Sequence, residues 1–310
     1  MSKVIVVGSL NMDLVICASY IPKKGETLMG SGFITSPGGK GANQAVAAAR
    51  LNGDVYMIGC VGKDIFGNDL IDNLMVNKVN IDHVRILDDV SISTGIAVII
   101  LVDGDNRIIL DSGANFEITP EQVIKALDEI ADKDDILLVQ LEIPIDCVQA
   151  ALLKGREKGM KTILNPAPAA KLNDDIYKLV DIIIPNESEC ELLTGFKPTD
   201  QNSIDNAVAF FKGKGIKEVT ITLGKDGVVY TKENFVEKMN VPNVKVVDTT
   251  AAGDSFVGAL ALCLSKQMDI DETMEFCNYV GTLTVMKKGA QNSLPYYDEV
   301  IEWKHRGKSL

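Results

Sequence analysis

The residues best suited to chemistry form one short run, Asp248-Thr249-Thr250-Ala251-Ala252-Gly253-Asp254-Ser255-Phe256, leading into the small and apolar stretch Val257 to Leu264. Small residues at the start of a helix leave backbone N–H groups, and the positive end of the aligned peptide dipoles, open to an anion. Ala251, Ala252, Gly253 and Asp254 are so placed. An acid there admits two readings. Asp254 is a helix cap, or it takes the proton of an attacking hydroxyl while the amides stabilise charge on a transferring phosphoryl group.

A second run, Gly38-Gly39-Lys40-Gly41-Ala42-Asn43-Gln44-Ala45, enters the Ala-rich stretch Val46 to Arg50. It is not a P-loop, because Gly41 stands where Ser or Thr must follow the lysine, and no G-x-G-x-x-G follows a strand. Its glycines let backbone approach a ligand closely, and Asn43 offers a donor and an acceptor to sugar hydroxyls; a tight strand-to-helix turn is the alternative. Asn11 and Asp13 follow the first apolar run, and alternate residues of an extended segment face one way. They read equally as pocket residues or as turn residues bonding their own backbone. Glu142 follows the run Ile136 to Val139, as a solvated loop carboxylate or a sugar ligand.

Two further segments close strands. Pro185-Asn186-Glu187-Ser188-Glu189 carries a capping-box pattern, yet Glu189 also suits Mg²⁺ held through water, since that ion takes one or two carboxylates beside phosphate. Thr222-Leu223-Gly224-Lys225-Asp226-Gly227 suits a nucleotide-edge loop or an ordinary hairpin turn.

These segments need a scaffold. Val4 to Val7, Val55 to Cys60, Ile136 to Val139, Thr162 to Leu164, Ile182 to Ile184 and Val219 to Leu223 read as buried strands. Amphipathic helices lie between most of them, at Ala42 to Leu51, Asn68 to Val76, Pro120 to Ile130, Asp146 to Lys158 and Ile204 to Lys212. Uninterrupted apolar strands alternating with helices predict an α/β fold with a doubly wound three-layer core and a mainly parallel sheet. Leu14 to Ile34 and Thr94 to Leu110 are extended, with turns at Lys24-Gly25 and Asp103 to Asn106 and no helix between. They predict a small β-sheet lid, over about residues 12–36 and 92–111, on a single domain of residues 1–310. Lys304 to Lys308 reads as a solvated tail.

Composition narrows the functions. With 310 residues, 46% hydrophobic, the chain can bury a large core. A net charge of −12 argues against nucleic acid, whose phosphates need a cationic face. The six cysteines lack C-x-x-C spacing and read as reduced core thiols. Lys3, Val4 to Leu10 and Val15-Ile16-Cys17 faintly echo a lipoprotein signal, but Asn11 and Asp13 interrupt it, and bulky Ile16 stands where cleavage wants a small residue. The expectation is a soluble cytoplasmic protein with no membrane partner.

In order and spacing these segments resemble the ribokinase family of sugar kinases, known also by phosphofructokinase-B-type signatures, over essentially the whole chain. Gly38 to Ala45 is similar to the first signature and Asp248 to Phe256 to the second, with Ser255 where the family often has Thr. The resemblance implies that Asn11, Asp13, Gly39, Lys40, Gly41, Ala42, Asn43 and Glu142 bind the sugar, Asp254 is the base, and Ala251, Ala252, Gly253 and Asp254 form an anion hole. It implies that Asn186 and Glu189 organise Mg²⁺ and phosphate. Thr222, Leu223, Gly224, Lys225, Asp226, Gly227, Gly253 and Asn278 would contact ATP. Asp248, Thr250, Thr284, Lys287, Gly289 and Ser293 would enclose K⁺, several through backbone carbonyls. The implied reaction is D-ribose and ATP giving D-ribose 5-phosphate and ADP, in a homodimer paired through the lid. The competing readings are a kinase of this fold for deoxyribose, fructose or a ketodeoxy sugar acid, and a non-catalytic sugar or nucleotide sensor, which has no use for Asp254.

Overall fold

Val4–Val7 is a run of four apolar residues, and the fold uses both of its faces: Val4 and Val6 pack into one core, Ile5 and Val7 into another. The same split recurs at Ile136–Val139, where Ile136 and Leu138 join the first core and Leu137 and Val139 the second. An uninterrupted apolar strand therefore marks a sheet covered on both sides.

The computed structural model describes residues 2–103, 105–233 and 235–307; Gly104 of the turn Asp103 to Asn106 and Lys308 of the basic C-terminal cluster lie outside the described residues. The strands are β1 (Val4–Val7), β2 (Asn11–Cys17), β3 (Ser31–Gly38), β4 (Val55–Gly62), β5 (Asn80–Leu87), β6 (Gly95–Val102), β7 (Asp105–Asp111), β8 (Ile136–Val139), β9 (Lys161–Leu164), β10 (Ile182–Ile183), β11 (Glu218–Thr222), β12 (Val228–Lys232) and β13 (Phe235–Met239). The helices are α1 (Lys40–Arg50), α2 (Ile65–Val76), α3 (Pro120–Ile130), α4 (Ile145–Lys158), α5 (Asp174–Tyr177), α6 (Glu187–Thr194), α7 (Gln201–Gly213), α8 (Ala252–Ser265), α9 (Ile270–Val285) and α10 (Tyr297–Gly307).

One sheet has the order β13-β12-β11-β10-β9-β8-β1-β4-β5, parallel from β11 to β5 and antiparallel through β11, β12 and β13. The chain grows outward from β1 in one direction through β4 and β5, then returns to β8 on its other side. The crevice beyond the carboxyl ends of β1 and β8 is thus a switch point, where open α/β sheets bind ligands. The second sheet, β3-β2-β6-β7, has four strands and stands where the lid is expected. Asp64 ties the two together. Its carboxylate caps α2 at Gly67 N (2.8 Å) and accepts both the N–H and the hydroxyl of Thr94, each at 2.7 Å, just before β6.

Two features differ from the sequence expectation. Asn80–Leu87 is the edge strand β5, where half-exposure permits polar residues that do not read as a buried strand. The basic C-terminal stretch is not a solvated tail where it is described: Lys304 lies on α10 and pairs with Glu275 at 2.9 Å. Among the described residues no helix is long and apolar enough to cross a membrane.

Candidate active site

Glu142 and Asn11 arrive at the switch point from β8 and β2. One Glu142 oxygen accepts from Ser9 Oγ (2.5 Å), the backbone N of Lys40 (3.1 Å) and, more weakly, Asn11 Nδ2 (3.5 Å). Asn115 sets which way the Asn11 amide faces. It bonds both polar groups of Leu10, at 2.8 and 3.1 Å, and donates to Asn11 Oδ1 at 2.7 Å, leaving Asn11 to present a donor. Glycines make the room: a Cβ on Gly95 would sit 2.3 Å from Asn11 Oδ1, and one on Gly38 would sit 2.4 Å from the Asp13 carboxylate.

Asp254 lies in the first turn of α8, buried, and is held by consecutive residues of α1: Asn43 Nδ2 donates to Oδ2 at 2.9 Å and Gln44 Nε2 to Oδ1 at 3.0 Å. Among the described residues no side chain caps this helix. Ala251, at its N-cap, has φ +59°, a left-handed conformation that costs an L-residue about 1–2 kcal/mol and bends the chain into the helix. A Cβ on Gly253 would meet no described atom within 4 Å, so this glycine faces open space.

That space is the junction of two cavities. The first, about 730 Å³, is lined by Asn11, Asp13, Gly39, Lys40, Asn43, Glu142, Glu189, Thr250, Ala251 and Asp254, with Ala97, Ile99, Asn106, Ile108 and Leu110 of the small sheet above. The second, about 800 Å³, is lined by Gly224, Lys225, Gly227, Val244, Val246, Phe256, Asn278 and Thr282 among others. Asn186, Ser188, Thr222, Thr249, Ala252 and Gly253 line both. A polar cavity carrying a carboxylate and a more apolar one therefore meet at an uncapped helix N-terminus, which can stabilise an anion passing between them.

Charge is concentrated in the first cavity. Burial, then the Glu142 and Asp254 charges, push Asp13 up to about 7 against the pull of Lys40. Burial acts on Lys40 in the lowering direction, but Asp254, Glu142, Glu189 and Asp13 outweigh it and hold the ammonium above its ordinary range. Burial also raises Glu189, whose two oxygens accept from the N–H and side-chain amide of Asn186 at 2.8 Å each. The capping box read from the sequence is therefore present, on a residue that also lines the cavity.

Some expected site residues stand behind the walls. Gly41 and Ala42 do not line the first cavity; their N–H groups bond Ser9 Oγ (3.3 Å) and Ser9 O (2.9 Å), which seats α1 against the end of β1. Leu223 and Asp226 do not line the second: Leu223 is buried, and the loop is the turn between β11 and β12. The hairpin-turn reading of that loop is thus observed, with Thr222, Gly224, Lys225 and Gly227 of it lining the second cavity. Asp248 accepts from Thr250 N (2.9 Å), Thr250 Oγ1 (2.6 Å) and Gly289 N (2.9 Å); burial opposes ionisation, but these bonds hold it below the usual carboxylate range. Asp248, Thr284, Lys287, Gly289 and Ser293 line neither cavity.

Comparison with known proteins gives the family. Residues 1–296 match the pfkB family carbohydrate kinases. The chain belongs to that family. It is 39% identical over 299 residues to a ribokinase of Haemophilus influenzae, covering 96% of this chain and 97% of that protein. A deoxyribokinase of Salmonella typhi is 34% identical over 302 residues, with 96% and 97% covered. The structure of Arabidopsis thaliana ribokinase complexed with ribose and ATP superposes with a TM-score of 0.87 at 31% identity, covering 97% of this chain and 98% of that one.

Within this pfkB-family carbohydrate kinase, sequence reading missed the residues that orient the others. Ser9, Gln44, Asn115, Gln140 and Asn165 are polar and deeply buried, and each bonds a cavity residue or the next amide in a chain. A signal existed for three. Gln44 adjoins Asn43, while Gln140 and Asn165 each follow directly on an apolar strand, at the carboxyl edge where ligands collect.

Proposed function

We propose that this kinase transfers the γ-phosphoryl group of ATP to the primary hydroxyl of D-ribose, giving D-ribose 5-phosphate and ADP. The observation that carries the reading is the shared wall: a cavity lined by amides, carboxylates and a lysine and a second, more apolar cavity of similar volume meet at the uncapped start of α8, with Asp254 on the polar side.

The sugar is held in the first cavity by Asn11, Asp13, Glu142 and Asn43, with Gly39 and Lys40. Asn43 Oδ1 is buried with no partner among the described residues, so it asks for a hydroxyl donor. ATP takes the second cavity, where Asn278 Nδ2 is likewise buried without a partner and suits an acceptor on the nucleotide. Asp254 accepts the proton of the attacking hydroxyl, and the anion hole at Ala251, Ala252, Gly253 and Asp254 receives the developing charge, the Ala252 N–H exchanging its long bond to Thr249 O (3.2 Å) for the anion. The four-stranded sheet is a lid on a single domain, and its Ala97, Ile99 and Ile108 exclude water from the transfer. The polar set Asn11, Asp13 and Glu142 favours ribose over deoxyribose, as does the higher identity to the ribokinase.

Two cations fit. Among the described residues no group of three or more His, Cys, Asp and Glu could hold a metal ion; Glu189, which lines the first cavity, would hold Mg²⁺ through water, and the ion would neutralise phosphate charge. The all-oxygen set at Asp248, Thr250, Thr284, Lys287, Gly289 and Ser293 suits K⁺, which adds positive charge behind the anion hole. The Thr284 and Ser293 hydroxyls bond Val280 O and Ala290 O, and the Lys287 ammonium pairs with Glu299, so these residues would contribute carbonyl oxygens. Exposed Phe33, Ile34 and Ile109 on the small sheet support pairing of two copies through the lid. Six free cysteines support a reducing, cytoplasmic setting.

The test is ADP release from ATP and Mg²⁺ with ribose, 2-deoxyribose and fructose, with and without K⁺, for wild type and Asp254→Asn. Ribose-dependent turnover that rises with K⁺ and falls by about 10²–10⁴-fold in the variant is expected. ATP binding without sugar-dependent turnover would instead favour a sensor.

A further inference from the structure

We infer that Gln44 is a positioning residue for the catalytic carboxylate: a buried chain of three side-chain amides fixes its orientation so that it donates to Asp254 and cannot turn its oxygen there. This inference rests on the reading of Asp254 as the base.

The chain is anchored at both ends by groups that only accept. At one end is Asp254 Oδ1, 3.0 Å from Gln44 Nε2; at the other is the carbonyl of Ile184, which takes Asn165 Nδ2 at 2.8 Å. Asn165 must then turn Oδ1 toward Gln44, whose Nε2 reaches it at 3.0 Å. Each hydrogen of the Gln44 amide thus has one acceptor. Its oxygen faces away and accepts from Gln140 Nε2 at 2.6 Å. Gly8 makes room for this, since a Cβ there would lie 2.0 Å from Gln140 Oε1.

Gln44 is fully buried and lines neither cavity, so it touches no substrate. Turning over its amide would set its oxygen against the Asp254 carboxylate and Asn165 Oδ1 and lose all three of its own bonds. The donor therefore favours the ionised base and pins one of its oxygens, while Asn43 and the substrate hydroxyl share the other. The remaining charged groups around Asp254 are Lys40 on α1, Asp13 on β2 and Glu189 on α6, with Glu142 beside Lys40 and Asp13. None of them is hydrogen-bonded to Gln44 in the structure.

The experiment compares kcat, KM for ribose and the kcat–pH profile of wild type, Gln44→Met, Gln140→Leu and Asp254→Asn, with ADP affinity by calorimetry as a control. A hydrogen bond to a charged group is worth roughly ten- to a hundredfold. Gln44→Met should lose about that much kcat with KM changed less than about threefold, and its acid limb should move up as the base loses a donor. Gln140→Leu, which takes the donor from the Gln44 oxygen and loosens that amide without touching Asp254, should move the limb the same way by less, with ADP affinity retained in both. A Gln44→Met enzyme whose kcat and acid limb match wild type overturns the inference. Should that variant not fold, the acid limb of Gln140→Leu decides: displaced upward it supports the inference, unmoved it overturns it. If Asp254→Asn keeps its kcat, the base reading falls and the inference with it. If Asp254→Asn collapses while both glutamine variants match wild type, only the inference falls.

Discussion

Asn43 donates to Asp254 at 2.9 Å across 211 residues of sequence, joining the glycine-rich segment before α1 and the small-residue segment before α8 into one site. The contact requires α1 and α8 to pack unusually close, and Gly258 permits it. A Cβ on Gly258 would lie 2.5 Å from Gln44 O and 2.8 Å from the Ala47 methyl.

Gly258→Ala should therefore destabilise the protein by about 1–3 kcal/mol, because steric overlap outweighs the better helix propensity of alanine. It should also lower kcat by at least about tenfold, since pushing α1 away displaces both amides that hold Asp254. Thermal unfolding with steady-state kinetics checks both effects.

The same change at Gly253 should have the opposite effect on stability. Nothing described crowds a Cβ there, and removing a glycine from a helical turn stabilises by about 0.4–1 kcal/mol. The methyl group would project into the junction of the two cavities, so kcat should fall by about tenfold or more while Tm is unchanged or raised. A loss of both would show that Gly253 serves packing.

Asp13 is held up at about 7 by burial and by its carboxylate neighbours. Below the unfolded value of 3.8, both states are protonated and Asp13 costs nothing. As pH rises toward 7 the unfolded chain ionises first, and stability drains away by an amount on the order of 4 kcal/mol. Asp13→Asn should therefore raise the Tm of the ligand-free protein by roughly 5–10 °C at pH 8 and little at pH 4. Ribose affinity should fall in the same variant, showing that the site keeps a destabilising carboxylate for function. Differential scanning calorimetry across pH, with ribose titration, tests both halves.

Much of this protein was legible in its sequence because the relevant signals are local. Four apolar residues in a row at Val4–Val7 and Ile136–Val139 mark strands covered on two faces, and Pro120–Ile130 carries its own start signal in the capping box of Thr119 and Gln122. The small residues before α8 and the glycines before α1 announced backbone open to a ligand. The family follows from the order of those segments. Sequence could not say which of two adjacent residues meets the ligand: Asn43 lines the cavity, while Gln44, Gly41 and Ala42 stand behind it. Nor could it say that Asn115 and Asn165 orient Asn11 and Gln44, because a buried amide's role depends on partners brought close only by folding. Composition and periodicity record which residues leave water. Which donor finds which acceptor is decided by the packing of distant elements, here by how closely Gly258 lets α8 approach α1.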